Sequence, residues 1–419
     1  MIRTPTQANF HTVHEYGEIR YDALPACAPH RLEQLLRQLG NKNLFKLKHN
    51  CVKMRQFVGT FGCEDFTIEV LPKIDQCDDD EARCRRKLFE MLRVARKVDW
   101  KLTGAAAQLE QSASLLDYFA AVYVQQLAVE WRRGRVANYV PRDRNRKCLK
   151  GKLLISKNIR HNLLRRERFF TRHNEFLADS PLTQTLKAAL TLCENWTRSG
   201  SVKRDAHTLL EEFHEVPDVP PSHLVLDSIT TTRQTERFSP VLELAKLLLG
   251  ESLADRQGHR RTFCLVFDMN QVFEDYIGQL FKRICPMARL QHSTHSLLRN
   301  AAGQKRFGLK PDIVVAADDE SPDVIDTKWK VLDKDGGGLK VSQSDVYQMY
   351  AYAKEYEARR TTLLYPHSSR LPKEQGVQRE YTFQDGTPLQ IATVDIMQTP
   401  QEVVEQLRKL QSPNLLLPE

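Results

Sequence analysis

The spacing of apolar residues predicts strands near the start of the chain, with one helix among them. In residues 51–58 and 66–71 apolar and polar side chains alternate, which is typical of half-buried strands. Residues 59–65 between them have the character of a hairpin connection. Residues 30–40 carry leucines at helical spacing and end in glycine, which fits a helix cap. We therefore expect a small β-rich module at residues 1–75.

Longer periodic stretches follow, and most of them predict helices. The clearest stretch is residues 115–133, where large apolar side chains recur on one face. Further predicted helices cover residues 81–98, 159–170, 181–196, 201–215 and 239–249. A short strand is expected at residues 151–155. Residues 76–255 are thus predicted to form a mainly helical middle domain.

The last part of the chain returns to short apolar runs mixed with helices. Strands are predicted at residues 263–267, 311–316, 323–328, 361–365 and 389–396, and helices at 270–281 and 344–357. This order predicts an α/β layer arrangement with a mixed sheet at residues 256–419. The fold class expected for the whole chain is therefore multidomain α+β.

Composition limits the class of protein. A chain of 419 residues with 41% hydrophobic and 27% charged residues has the size and balance of two or three globular domains. It contains no apolar run long enough to cross a membrane, and its N-terminus lacks an apolar signal core. We expect a cytoplasmic protein with no membrane partner. The nine cysteines include no C-x-x-C pair, which favours reduced thiols over a zinc site or disulfide framework.

Positive charge is concentrated in one segment. The net charge is +9, and residues 142–172 contain twelve Lys or Arg against two acidic residues. A localised basic patch predicts a polyanionic partner, because Lys and Arg supply most phosphate contacts. The candidate DNA-binding residues are Lys150, Lys152, Arg160, Arg165, Arg166 and Arg168. The alternative is a basic surface that pairs with acidic groups of the fold or of a partner protein.

Two aspartates and a lysine have the spacing of a metal-dependent nuclease centre. Asp326 and Lys328 are two residues apart on a predicted strand, so their side chains leave the same face. Asp312 begins the neighbouring strand, and a hairpin across residues 317–322 would bring its carboxylate to Asp326. Two carboxylates are suitable ligands for Mg²⁺. Lys328 can position or deprotonate an attacking water, or stabilise the charge that develops.

Three further side chains are candidates for the same site. Glu274, on the preceding helix, is a candidate metal ligand, directly or through water. Gln348 and Tyr352 are four residues apart on the next helix and share a face, so they can hold Lys328 or a DNA phosphate. The D…D-x-K spacing alone is a weak signal, since acids and lysines are common on surface strands. Its position at the ends of apolar strands, with the Gln and Tyr behind it, makes it stronger.

These motifs resemble a known family. P-D…D-x-K followed by Q-x-x-x-Y resembles the PD-(D/E)xK nuclease superfamily. More narrowly, four segments resemble McrC, the nuclease subunit of the McrBC modification-dependent restriction system: FDMNQVFEDYI (267–277), LKPDIVV (309–315), IDTKWK (325–330) and SDVYQMYAYAKEY (344–356). The resemblance extends upstream to residues 66–74, 149–176 and 181–190 and so covers most of the chain. It implies a PD-(D/E)xK endonuclease core at residues 256–419, with Asp312, Asp326 and Lys328 as the catalytic set and Mg²⁺ as the metal.

The resemblance also implies partners. McrC-like proteins bind a hexameric McrB-like AAA+ GTPase through their N-terminal part, stimulate its GTP hydrolysis and cut double-stranded DNA. This sequence has no G-x-x-x-x-G-K-[ST] motif, so GTP is expected on the partner and not on this chain. Two other functions remain open. One is a non-cleaving regulatory or scaffold subunit that activates the GTPase, and the other is a stand-alone DNA nuclease.

Overall fold

The structure is a computed structural model that describes residues 9–38, 43–63, 65–75, 80–95, 114–135, 138–177, 179–250, 253–254, 261–316, 321–335, 338–371 and 374–410. Its helices are α1 (Ala28–Gln38), α2 (Glu81–Val94), α3 (Leu115–Arg133), α4 (Ile155–Asn162), α5 (Pro181–Trp196), α6 (Gly200–Glu211), α7 (Ser239–Leu249), α8 (Met269–Ile284), α9 (Gln343–Glu355) and α10 (Pro400–Lys409).

The strands up to the middle of the chain are β1 (Phe10–His14), β2 (Glu18–Arg20), β3 (Phe45–Leu47), β4 (Cys51–Met54), β5 (Phe57–Cys63), β6 (Phe66–Leu71), β7 (Asn138–Arg146), β8 (Lys152–Leu153) and β9 (Phe169–Leu177). The later strands are β10 (Leu253–Ala254), β11 (Arg261–Asp268), β12 (Arg289–Leu290), β13 (Ser296–Arg299), β14 (Lys305–Gly308), β15 (Ile313–Val315), β16 (Asp323–Thr327), β17 (Lys334–Asp335), β18 (Gly338–Leu339), β19 (Arg360–Pro366), β20 (Gly376–Thr382) and β21 (Pro388–Val394). The chain is therefore α+β, as expected.

A five-stranded sheet joins the N-terminal strands to a strand from the later part of the chain. Its order is β1-β6-β5-β11-β10, with β1 parallel to β6 and the other neighbours antiparallel. The sheet thus contains strands from both sides of the boundary predicted near residue 255, and the division into three domains stays a prediction. A small sheet of order β2-β4-β3 lies beside it.

The predicted hairpin is observed, since β5 and β6 pair antiparallel with Cys63 opposite Phe66, but its connection is shorter than residues 59–65 because β5 extends to Cys63. Gly59 and Gly62 lie inside β5. A Cβ on Gly59 would lie 2.0 Å from the carbonyl oxygen of Leu265, and one on Gly62 would lie 2.4 Å from that of Phe66. These glycines therefore permit close approach of the neighbouring strands, a role that their sequence pattern does not distinguish from a turn.

The helical layer between residues 115 and 249 contains much of the core. The observed bounds of α3, α5 and α7 coincide with the predicted ones. The Tyr123 hydroxyl on α3 donates to the carbonyl oxygen of Leu186 on α5 at 2.7 Å. Trp131 stacks on Phe213, with ring centroids 4.1 Å apart. The apolar stripe of α3 is thus buried against its neighbouring helices, as its periodicity predicts.

The basic segment folds differently from the expectation. The predicted helix at residues 159–170 is confirmed only over residues 159–162, since α4 ends at Asn162 and Phe169 already begins β9. Strand β9 pairs with β7 and β8 in a three-stranded sheet. The Asn158 side chain accepts the backbone N–H of Phe170 at 2.8 Å, which ties the helix to the strand. Helical spacing in this segment is overridden by strand pairing of its aromatic and β-branched residues.

A six-stranded mixed sheet occupies the C-terminal part, in the order β12-β15-β16-β19-β21-β20. Strands β16, β19 and β21 are parallel and the other pairs are antiparallel. Ile325 belongs to the apolar cluster that includes α8 and α10, whereas Val324 belongs to the cluster on the α9 side. Helices therefore cover both faces of the sheet, as the strand and helix order predicts.

A buried carboxylate joins the N-terminal strands to this second sheet. Glu15, just after β1, is 1% exposed. Its Oε2 accepts the Trp329 indole N–H at 2.9 Å and the backbone N–H of Lys73 at 3.0 Å. Trp329 directly follows Lys328, so the N-terminal strands are bonded to the residue after the candidate catalytic lysine.

The helices and the cysteines can be compared with the expectations from composition. Within the described ranges, no helix is both long and apolar enough to cross a membrane. The cysteines in those ranges are free thiols.

Replacing Glu15 with Gln should change how stability depends on pH. Burial raises the pKa of Glu15 from 4.5 to about 7, despite its hydrogen bonds to Lys73 and Trp329. A raised pKa in the folded state means that the stability from this group is complete below pH 4.5 and is lost as pH rises through about 7. Glu15→Gln imitates the protonated acid. Its unfolding free energy should therefore exceed that of the wild type by ~3 kcal/mol above neutral pH and match it at acidic pH.

Urea unfolding of both proteins across this pH range measures the difference. Glu211→Gln removes an exposed carboxylate from α6 and is the matched control, with a difference that should stay small at every pH. A Glu15→Gln difference that does not grow with pH contradicts this account of the junction.

Candidate active site

The ends of two paired strands bring the candidate catalytic aspartates together. Strands β15 and β16 are antiparallel, with Ile313 opposite Ile325. One step further, Asp312 and Asp326 lie side by side at the same end of the strand pair. Asp312 Oδ2 accepts two hydrogen bonds from Thr327, from its backbone N–H at 2.6 Å and its hydroxyl at 2.7 Å. The predicted hairpin pairing is thus observed, although residues 317–320 of its connection lie outside the described ranges.

A chain of polar contacts fixes Lys328 beside these carboxylates. Its Nζ lies 2.5 Å from Asp326 Oδ2 and donates to Gln348 Oε1 at 2.9 Å. The Gln348 amide in turn donates to the Tyr352 hydroxyl at 2.8 Å. Tyr352 is buried in the apolar cluster beneath α9. The structure therefore joins Lys328, Gln348 and Tyr352 in one chain of hydrogen bonds, in which Tyr352 orients Gln348 and Gln348 orients Lys328.

The two carboxylates share an unfavourable environment for negative charge. Burial raises the pKa of Asp312 and of Asp326, and the mutual repulsion of the pair raises that of Asp326 further. Burial alone would lower the pKa of Lys328, but the adjacent Asp326 outweighs it and the pKa is raised. Lys328 is therefore held as an ammonium ion, and the pair needs a further positive charge to ionise fully.

The donor set fits a divalent metal with oxygen ligands. Asp326 Oδ2 is buried, and it accepts no well-directed hydrogen bond from a described residue although Lys328 lies close by. A metal would satisfy this oxygen and relieve the repulsion between the two aspartates. In the part of the chain that the structure describes, no three His, Cys, Asp or Glu side chains converge on one point. Water or phosphate oxygens would therefore supply the remaining ligands.

Glu274 lies on the adjoining helix and is electrostatically connected to the pair. Burial raises the pKa of Glu274, and the charge of Asp312 raises it further. Its Oε1 accepts the Gln291 amide at 2.6 Å. The backbone N–H of Gln291 donates to the carbonyl oxygen of Asp312 at 2.9 Å. Glu274 is thus placed at the edge of the site, one hydrogen-bonded residue away from Asp312.

Three residues of the candidate site are not predicted from the sequence motifs. Thr327 carries the hydroxyl that orients Asp312, and its position between Asp326 and Lys328 was the available signal. Asp345, in the first turn of α9, is buried and accepts Lys330 at 2.8 and 3.1 Å. Its charge also contributes to the raised pKa of Lys328. Gln291 follows no motif, and only the fold brings it to the site.

The candidate DNA-binding residues lie in or next to β8, α4 and the turn that follows α4. Five of them have exposed side chains: Lys150, Lys152, Arg160, Arg165 and Arg166. Arg168 instead donates to the carbonyl oxygen of Asn145 at 2.9 Å and helps to hold the turn. Leu163 and Leu164 beside them are 69% and 95% exposed. The surface is therefore both basic and apolar.

Comparisons with known proteins place the chain in one family. A family model described as the McrBC 5-methylcytosine restriction system component matches residues 52–366. No curated protein sequence matches the chain.

Two solved structures from Thermococcus gammatolerans have a similar fold. One is a refined half-complex from a tetradecameric assembly of McrB AAA+ hexamers with bound McrC, at 20% identity and a TM-score of 0.73, covering 96% of this chain and 100% of that chain. The other is the cryo-EM structure of the McrBC complex, at 22% identity and a TM-score of 0.50, covering 66% of this chain and 88% of that chain.

The family match covers more than half of the chain and includes Asp312, Asp326 and Lys328. It confirms the resemblance to McrC found in the sequence motifs. The chain therefore belongs to the family of McrBC 5-methylcytosine restriction system components.

Proposed function

We propose that this protein is the endonuclease subunit of a modification-dependent restriction complex of the 5-methylcytosine type. It cuts double-stranded DNA by Mg²⁺-dependent phosphodiester hydrolysis and stimulates the GTPase of an McrB-like AAA+ hexamer. The observation that carries the proposal is the buried Asp312–Asp326 pair with Lys328 held against it. Burying two carboxylates and an ammonium group costs folding free energy, and a bound cation and phosphate would offset that cost.

Asp312 and Asp326 would hold the metal, and Glu274 would act on it through water, since no third carboxylate converges on the pair in the described residues. When bound, Mg²⁺ would polarise the scissile phosphate and neutralise the charge that develops on it. The chain's own residues prepare the site. Thr327 fixes one oxygen of Asp312 through two hydrogen bonds, so this carboxylate is oriented before the substrate arrives.

Lys328 is the candidate for direct action on the reacting groups. Its raised pKa keeps it protonated, which suits stabilisation of developing negative charge and orientation of a water better than proton abstraction. Gln348 and Tyr352 limit the positions that the ammonium can take. We therefore assign charge stabilisation to Lys328 and positioning to the Gln348–Tyr352 pair.

The partner assignment rests on family and fold. The similar structure is of McrC bound to McrB AAA+ hexamers. The N-terminal module at residues 1–75 is our candidate for the GTPase contact, and GTP binds the partner. Because Glu15 accepts a hydrogen bond from Trp329, movement of this module would displace the residue next to Lys328. Contact with a ring could therefore influence the nuclease site.

Asp326→Ala should abolish cleavage and preserve activation of the GTPase. The variant removes one of two metal-binding carboxylates, so strand cleavage of modified DNA with partner, GTP and Mg²⁺ should fall by roughly 1000-fold or more. GTP hydrolysis by the partner should remain stimulated, since the N-terminal module is unchanged. Asp385→Ala is the matched control. It removes a partly exposed carboxylate that pairs with Lys354 and lies in the turn between β20 and β21.

Each outcome separates one function from another. Normal cleavage by Asp326→Ala overturns the site assignment. A wild-type protein that stimulates GTP hydrolysis but never cuts is a regulatory subunit. Cleavage by the wild type without partner and GTP identifies a stand-alone nuclease.

Charge reversal at Arg165 and Arg166 should weaken DNA binding if the basic segment contacts DNA. The loss should be roughly tenfold or more at low ionic strength and smaller at high salt, because phosphate contacts are screened. Fluorescence anisotropy with a labelled duplex measures it. Reversal of the exposed Arg132 and Arg233 provides the control. Unchanged binding would assign this basic and apolar surface to a protein contact instead.

A further inference from the structure

A second basic element precedes the active site and lies outside the segment at residues 142–172. Strands β13 and β14 form an antiparallel hairpin that ends four residues before Asp312. From residue 289 to residue 311 the sequence contains no Asp or Glu. Its cations are Arg289, Arg299, Lys305, Arg306 and Lys310. This uncompensated positive charge favours binding to a polyanion.

The hairpin also exposes large apolar side chains. Leu297 is 45% exposed, Leu298 is 57% exposed and Phe307 is 71% exposed. Phe307 has a φ of 55°, a left-handed conformation that is unfavourable for an aromatic residue. The strained backbone therefore presents an aromatic ring to solvent, and folding of this chain alone gives no reason for it.

The hairpin places two like charges opposite each other, although each also donates to a backbone carbonyl oxygen, Arg299 to that of Gly303 and Lys305 to that of Thr294. Arg299 lies directly opposite Lys305, and Leu298 lies opposite Arg306. Like charges opposite each other on adjacent strands destabilise a sheet, and a two-stranded hairpin in water is marginal. Every residue of β14 is exposed. A bound polyanion would relieve the repulsion, whereas a neutral protein surface would not.

The base of the hairpin is tied to the catalytic elements. The Tyr356 hydroxyl, just beyond α9, donates to the carbonyl oxygen of His292 at 2.7 Å. The backbone N–H of Leu309 donates to the carbonyl oxygen of His295 at 2.9 Å. Leu309 is buried in the same cluster as Tyr352. The hairpin is thus anchored beside the residues that position Lys328, and its second strand leads directly into Asp312.

We propose that the β13–β14 hairpin is a DNA-binding element that grips the duplex beside the scissile phosphate. Arg299, Lys305 and Arg306 contact phosphates, and Phe307 inserts against the sugars and bases of a groove. The proposal rests on the proposed function in one respect, that DNA is the substrate of the adjacent carboxylates. It adds a specific element that sets where the duplex lies relative to them.

Duplex binding by the full-length protein tests the proposal without relying on cleavage. The probe is a short fluorescent DNA duplex in Ca²⁺ buffer, titrated at several salt concentrations. The hairpin variant Arg299→Ala/Lys305→Ala/Arg306→Ala should bind roughly tenfold or more weakly, and the slope of log affinity against log salt should fall by about 1 for each lost phosphate contact. The matched control, Arg132→Ala/Arg233→Ala/Lys409→Ala, removes three exposed cations elsewhere and should keep the wild-type slope.

A conservative variant guards against a folding defect. Arg299→Lys/Arg306→Lys retains the charges and should retain the salt slope. Phe307→Ala should lower affinity with an unchanged slope, and Phe307→Trp should restore it, since the ring and not a charge is lost. A hairpin variant that binds like its control, with its circular dichroism unchanged, overturns the proposal. A hairpin variant that loses circular dichroism is replaced by Phe307→Ala, whose wild-type binding would also overturn it.

Asp326→Ala separates this proposal from the proposed function. It should lose cleavage in Mg²⁺, and in EDTA, where no cation links Asp326 to a phosphate, its salt slope for duplex binding should match that of the wild type, because the hairpin is unchanged. Normal cleavage by Asp326→Ala, together with weak binding by the hairpin variant, would reject the catalytic assignment and keep the hairpin as a DNA-binding element.

Discussion

The close approach of two buried carboxylates at one strand end is the constraint on which the account depends. Asp312 and Asp326 are adjacent because β15 and β16 pair in a single register, and a shift of one residue would move Asp326 to the other face of the sheet. Their repulsion is tolerated because Thr327 and Lys328 offset part of it. The remaining imbalance favours a divalent cation, which is the chemical basis for proposing a nuclease.

The rest of the chain is connected to this pair through few, specific contacts. On one side of the sheet, α9 places Gln348 and Tyr352 behind Lys328. On the other, α8 carries Glu274, which reaches Asp312 by way of Gln291. The N-terminal strands join at Trp329 through Glu15, and β11 pairs with β5 to make one sheet from distant parts of the sequence. A partner that binds the N-terminal strands would therefore act on a structure that is continuous with the active site.

The sequence predicted those features that depend on local pattern. Helices α3, α5 and α7 were placed to the residue because each has a long apolar stripe and a clear start. The spacing of the candidate catalytic residues is visible in the sequence because Asp326 and Lys328 interrupt an apolar strand. The errors arose where distant residues decide. Gly59 and Gly62 resembled a turn, but their close contacts come from β11 and β6. The stretch 159–170 resembled a helix, but pairing with β7 makes its end a strand. Gln291 and the charged hairpin at residues 296–308 belong to the site only through folding.

The central claim is that Asp312 and Asp326 together form a binding site for a divalent metal. Electron paramagnetic resonance of Mn²⁺, which shares the preference of Mg²⁺ for octahedral oxygen ligands, measures it directly in the presence of a DNA duplex. We expect one tightly bound ion per wild-type chain and loss of that ion in Asp312→Asn/Asp326→Asn, with the fold retained. Equal Mn²⁺ binding by the wild type and the double variant would contradict it.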